Sequence, residues 1–245
     1  MRSKIVLVNN VARLAEAGEA LLHRAPGMPG MGLIHGETGY GKTTAVCWYV
    51  NRCNGVYVRA KSVWTPSAMF AAILRELGRD AYGSCAQMLD DIIEALALSR
   101  RPLFVDEADY LIDSKRMCES LRDLHDMSKM PVVMIGMGGI DRRLAHRKQL
   151  TGRVLADVRF HPAEEADAQK VAAELCEVKV DADLVAELNR KAAGSVRLIV
   201  VGLERIEQWA KAQGQSRVTL GQWGKRTFFT GEAPSAPQKD SGNNA

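Results

Sequence analysis

The chain has 245 residues, 47% of them hydrophobic and 6% aromatic, with a formal net charge of +4 and a pI near 8.8. That length allows one large domain, or a medium domain with a small companion, around a core of Leu, Val, Ile, Ala and Met. The mild basicity permits a polyanionic partner without demanding one. Five scattered cysteines form no C-x-x-C pair, which argues against a zinc site or a disulfide framework and for a reducing compartment. No apolar run reaches the roughly 18 residues of a membrane span, and no signal-peptide pattern opens the chain. The expectation is a soluble cytoplasmic protein with no membrane role.

In chain order, Val11, Leu14, Ala15, Leu21 and Leu22 recur at helical spacing, predicting a helix over 10–25 with Asn9 or Asn10 as its cap. Pro26-Gly-Met-Pro-Gly30 ends it. Met31-Gly-Leu-Ile-His35 reads as a buried strand and Thr44–Val50 as the start of a helix. Between them, Gly36-Glu37-Thr38-Gly39-Tyr40-Gly41-Lys42-Thr43 matches G-x-x-x-x-G-K-[ST], the pattern of a phosphate-binding loop. Its glycines allow a tight turn whose N–H groups point at phosphate oxygens, and the following helix N-terminus, with Thr44 in its first turn, adds partial positive charge. Lys42 is placed to reach the β- and γ-phosphates of ATP, and Thr43 to put its hydroxyl on Mg²⁺.

Further strands are predicted at 55–59, 102–106 and 131–135, with helices from Thr65 or Ser67 to Leu77, over 87–99 and over 115–127. This alternation predicts an α/β fold, a parallel sheet flanked by helices. After Phe160 the strand runs stop, and 164–176, 182–193 and 195–213 read as helices. The expected domains are a core over 1–160, a small all-helical lid over 161–230 and a disordered tail over 231–245, rich in Pro, Ser, Gly and Asn.

Leu103-Phe-Val-Asp106-Glu107 is an apolar strand ending in two acids. After a phosphate loop, the first acid belongs beside Mg²⁺ and the second is placed to accept the proton of an attacking water. Asp109 reads as a helix cap or a surface acid.

With both motifs in hand, residues 9 to about 210 resemble an AAA+ ATPase module: Gly36–Thr43 matches its Walker A motif and Val105-Asp106-Glu107 its Walker B motif. Arg153, in Leu150-Thr-Gly-Arg-Val154, is similar in place to the family's arginine finger, with Arg142 and Arg143 as alternatives. Arg197, in Gly194-Ser-Val-Arg197, resembles the sensor-2 arginine of the lid. Compact size and the Gly136-Met-Gly-Gly139 turn are similar to the DNA-transposition branch, the Mu B-like and transposon target-selection ATPases. One departure stands out: where the family places a polar sensor-1 residue, this chain has Gly136 and Met137.

The resemblance implies ATP and Mg²⁺ as cofactors and self-association into a ring or helical filament on duplex DNA. It also implies delivery of that DNA to a DDE-type transposase, in a bacterial or phage-infected cell. Lys61 and Thr65 are the DNA contacts it suggests. Arg147 and Lys148, in a basic cluster, are candidates for the phosphate backbone. A helicase loader and a nucleotide-gated interaction switch with little hydrolysis are the two alternative readings.

Overall fold

The computed structural model describes residues 1–230; the expected disordered tail over 231–245 lies outside the described residues. Two compact units emerge, residues 9–161 and a second formed by residues 1–8 with the chain from Pro162 on. The sequence reading assigned residues 1–8 to the core. They run instead with the second unit, where Arg2 N donates to Leu175 O (2.8 Å) and Lys170 Nζ to Leu7 O (2.7 Å).

The first unit runs α1 (Asn9–Leu22), β1 (Met31–Gly36), α2 (Lys42–Cys53), β2 (Val56–Arg59), α3 (Pro66–Glu76), α4 (Cys85–Ser99) and β3 (Leu103–Asp106). It continues through α5 (Asp109–Ile112), α6 (Lys115–Ser128), β4 (Val132–Met137), α7 (Ile140–Ala145), α8 (Lys148–Thr151) and β5 (Val154–Arg159). The five strands form one parallel sheet in the order β2-β3-β4-β1-β5. β4 therefore sits between β1 and β3, and the loops leaving the C-terminal ends of those two strands open onto a common crevice, where ligands of parallel sheets bind.

Side-chain alternation explains why both faces carry helices. Leu33, Val58, Val105 and Met134 face one core, shared with Ile73 of α3, Ile92 of α4 and Leu121 of α6. Phe104, Val133 and Val158 face the other, against Leu14 and Leu21 of α1 and Tyr49 of α2. Each such aliphatic side chain contributes roughly 1.5–3 kcal/mol by leaving water. Gly18 lets Tyr49 seat against α1: a Cβ there would lie 2.3 Å from the phenol ring. Asn10 does not cap α1. Its amide pairs with the His161 backbone (2.8 and 3.1 Å), tying the helix to the chain leaving β5.

β5 was not expected from the sequence. It is an edge strand whose residues alternate between half-buried or buried and exposed, and Ala156 and Asp157 interrupt its apolar run. α4 begins two residues earlier than expected, because Ser84 and Gln87 form a reciprocal capping box. The second unit contains α9 (Glu165–Leu175), β6 (Lys179–Val180), α10 (Ala182–Ala192), α11 (Val196–Ala212), β7 (Arg217–Val218) and α12 (Leu220–Trp223). It is helical except for the short parallel β6–β7 pair, which the all-helical expectation missed.

Candidate nucleotide-binding site

Between β1 and α2 the chain turns through left-handed backbone at Gly39 (φ +92°) and Gly41 (φ +85°), a conformation glycine adopts without strain. Gly36 is needed for a different reason: a Cβ there would stand 2.6 Å from Phe160 O. Glu37 and Thr38 are exposed and Tyr40 is half-buried. α2 then starts directly at Lys42, with no acid in its first turn to offset the positive end of its dipole, and Thr43 and Thr44 are exposed there.

The Lys42 ammonium folds back onto the loop, donating to Gly36 O (2.6 Å) and Glu37 O (2.9 Å). Burial lowers its pKa, opposed by the charges of Asp106, Glu37, Glu107 and Asp109. Lys42 thus sits within the field of four carboxylates.

Across the crevice, Asp106 is buried at the end of β3. Its Oδ2 accepts from Thr43 Oγ1 (3.0 Å) and Tyr57 Oη (2.7 Å), and its Oδ1 from Glu107 N (2.9 Å). Glu107 follows in left-handed backbone (φ +55°), costly for a residue with a Cβ and typical of functional turns. Arg59 Nη2 donates to its carboxylate at 2.8 Å. The structure thus places the Gly36–Thr44 loop, Asp106 and Glu107 beside one another. A hydroxyl and a carboxylate sharing a hydrogen bond beside an ammonium make a hard-oxygen set of the kind Mg²⁺ takes with phosphates, so the residues present fit the implied ion.

Three residues of this region escaped the sequence reading. Tyr57 and Arg59 alternate on β2, and the register pairs them with Phe104 and Asp106. Strand periodicity could have put them on one face, but not beside the acids. Asp109 is neither a cap nor a free surface acid. Its Oδ2 accepts from Met137 N (2.7 Å), and Arg143 donates to its Oδ1 (3.3 Å) and its backbone O (2.8 Å). Gly136 makes room for it, since a Cβ there would lie 2.6 Å from Asp109 Oδ2. The place where the sequence offers no polar residue therefore holds a carboxylate from the turn after β3, the strand beside β4.

The remaining candidates lie elsewhere. Arg153 precedes β5 at the opposite end of the sheet: Met31 N donates to Arg153 O, and five residue steps to Gly36 span roughly 17 Å. Its guanidinium holds Asp126 through Nε (2.6 and 2.7 Å) and Nη2 (2.6 Å), and that pairing lowers the Asp126 pKa. Arg197 is exposed in the first turn of α11, in the second unit. Lys61 and Lys148 are exposed and make no ion pair among the described residues. Thr65 caps α3 by accepting from Ala68 N (3.3 Å). Arg147 is not free for a phosphate: it donates to Ile112 O (3.3 Å) and Asp113 O (2.8 Å) at the end of α5. No described helix is long and apolar enough to cross a membrane.

Residues 27–144 match a family profile described as an AAA domain. No curated protein matches the chain. Among solved structures, the Aeropyrum pernix Orc1 protein in complex with DNA is similar at 20% identity and a TM-score of 0.62, over 85% of this chain and 61% of that one. The ADP form of the Aeropyrum pernix Orc2 protein aligns at 17% identity and a TM-score of 0.65, over 89% and 67%. The Thermotoga maritima RuvB Holliday junction branch migration motor aligns at 17% identity and a TM-score of 0.58, over 87% and 66%. The chain spans about three-fifths of the length of the first of these. At such identities the likeness is one of fold: a P-loop ATPase sheet with a helical C-terminal part.

Proposed function

We propose that this protein is an ATP-dependent, sequence-independent DNA-binding AAA+ ATPase that assembles on duplex DNA and delivers it to a DDE-type transposase, which it activates. The observation that carries the nucleotide part is the convergence of Lys42, Thr43, Asp106 and Glu107 on one crevice. Lys42 exchanges the loop carbonyls for the β- and γ-phosphates, Thr43 and Asp106 hold Mg²⁺, and Glu107 takes the proton of the attacking water. When bound, Mg²⁺ would offset the charge of the nucleotide's phosphates. Arg153, roughly 17 Å from its own phosphate loop, serves a neighbour's nucleotide, which ties hydrolysis to assembly. For Arg197 the sequence resemblance alone supports a sensor-2 role.

For the DNA, exposed Lys61 and Lys148, which make no ion pair among the described residues, are the backbone contacts. Thr65 fixes the start of α3 beside Lys61, and Arg147 anchors the segment that carries Lys148. The transposition role rests on the sequence resemblance. A specific observation favours the switch reading: Arg59 occupies Glu107, which holds hydrolysis down.

The test is negative-stain microscopy with a non-hydrolysable ATP analogue, with and without duplex DNA. Rings or filaments that need both ligands are expected. Monomers in every condition overturn the assembly mechanism and leave the switch. A preference for single-stranded DNA points to the helicase loader instead.

A further inference from the structure

Asp106 is 3% exposed, and among the described residues no Lys, Arg or His forms an ion pair with it. Without a direct ion pair, and with only the field of nearby Lys42 to offset it, this buried carboxylate leans on its hydrogen bonds. Asp106 has three donors. Glu107 N is fixed by the chain, and Thr43 Oγ1 and Tyr57 Oη share Oδ2. In the proposed ATPase, the Thr43 hydroxyl turns toward Mg²⁺, which leaves Oδ2 one donor short unless another remains.

We infer that Tyr57 is a positioning residue for Asp106: its phenol pins Oδ2 while Thr43 exchanges that oxygen for Mg²⁺. This rests on the nucleotide-hydrolysis reading and adds a residue to it. Three observations carry the inference. The Tyr57 bond, at 2.7 Å, is shorter than the Thr43 bond at 3.0 Å. β2 is hydrogen-bonded to β3 in a register that sets Tyr57 opposite Phe104 and Arg59 opposite Asp106, so the ring lies on the acid's face of the sheet. Tyr57 is only half-buried, and phenylalanine would cover the same strand surface, so packing does not account for the hydroxyl.

The experiment is Tyr57→Phe against wild type, with a fluorescent ATP analogue bound first in EDTA and then along a Mg²⁺ titration. Affinity in EDTA should be unchanged, while the half-saturating Mg²⁺ concentration rises about tenfold, as for other outer-shell partners of metal sites. Superimposed Mg²⁺ curves overturn the inference. Loss of affinity already in EDTA also overturns it, because Tyr57 then shapes the nucleotide site itself and not its Mg²⁺ affinity. Wild type that binds no nucleotide, or binds it without regard to Mg²⁺, refutes the ATPase reading itself, an outcome distinct from the other two.

Discussion

Arg59→Ala should raise the DNA-free ATPase rate. Arg59 donates one hydrogen bond to Glu107 at 2.8 Å, with 60% of its side chain exposed against 30% for the acid. The bond to Glu107 raises the Arg59 pKa, which keeps the guanidinium charged. A solvent-facing pair of this kind is worth about 0.2–1 kcal/mol. If that energy holds Glu107 off the attacking water, releasing it speeds hydrolysis by a factor of about 1.4 to 5, since roughly 1.36 kcal/mol is tenfold. The assay is steady-state phosphate release at saturating ATP, at low and moderate salt, with Glu107→Gln as the inactive control. Screening weakens exposed pairs, so salt should accelerate wild type toward the variant's rate and leave Arg59→Ala nearly flat. A variant rate at or below wild type, with nucleotide affinity intact, refutes the idea that Arg59 restrains Glu107.

Gly136→Ala places a Cβ 2.4 Å from Ile140 Cδ1 and 2.6 Å from Asp109 Oδ2, displacing the carboxylate from Met137 N and Arg143. A lost bond to a charged group costs about 1.5–3 kcal/mol, or roughly 3–12 °C in melting temperature at about 2–4 °C per kcal/mol for a unit of this size; an unchanged circular-dichroism melt would falsify this packing account. In the second unit, burial pushes the Glu207 carboxyl up. Bonds from the Met1 ammonium, Glu177 N and Lys211 outweigh that and hold it at about 2, below its ordinary 4.5. Its folded pKa is depressed, so its contribution is present above pH 4.5 and lost as pH falls toward 2. Thermal melts of wild type should fall across that window more steeply than those of Glu207→Gln, and parallel curves would remove Glu207 from the account. Mixing Arg153→Ala with Lys42→Ala subunits should restore ATPase activity that neither has alone; no rescue would end the trans role of Arg153.

The parts of this protein legible in its sequence are those written locally. Lys42 and Thr43 follow their glycines at fixed offsets, and Asp106 and Glu107 end an apolar run, so each motif carries its own geometry. The three central strands, β1, β3 and β4, were legible because two-sided burial makes them continuous apolar runs, and β2, at one edge, was legible by its alternation, whereas β5, at the other edge and interrupted by Ala156 and Asp157, has neither signal. What could not be read depends on register. Tyr57 and Arg59 gain meaning only once β2 pairs with β3, and Asp109 only once the end of β4 lies against α5. Gly136 is the instructive case. Read alone, it is a missing polar residue at the sensor-1 place; in the fold, its lack of a side chain admits a carboxylate from 27 positions earlier. Whether that carboxylate acts or only braces is decided by charge. Asp109→Asn keeps the acceptor for Met137 N while removing the pairing with Arg143. A bracing role predicts a nearly intact melt with a nearly intact ATPase rate, and a role in hydrolysis predicts the same melt with the rate reduced.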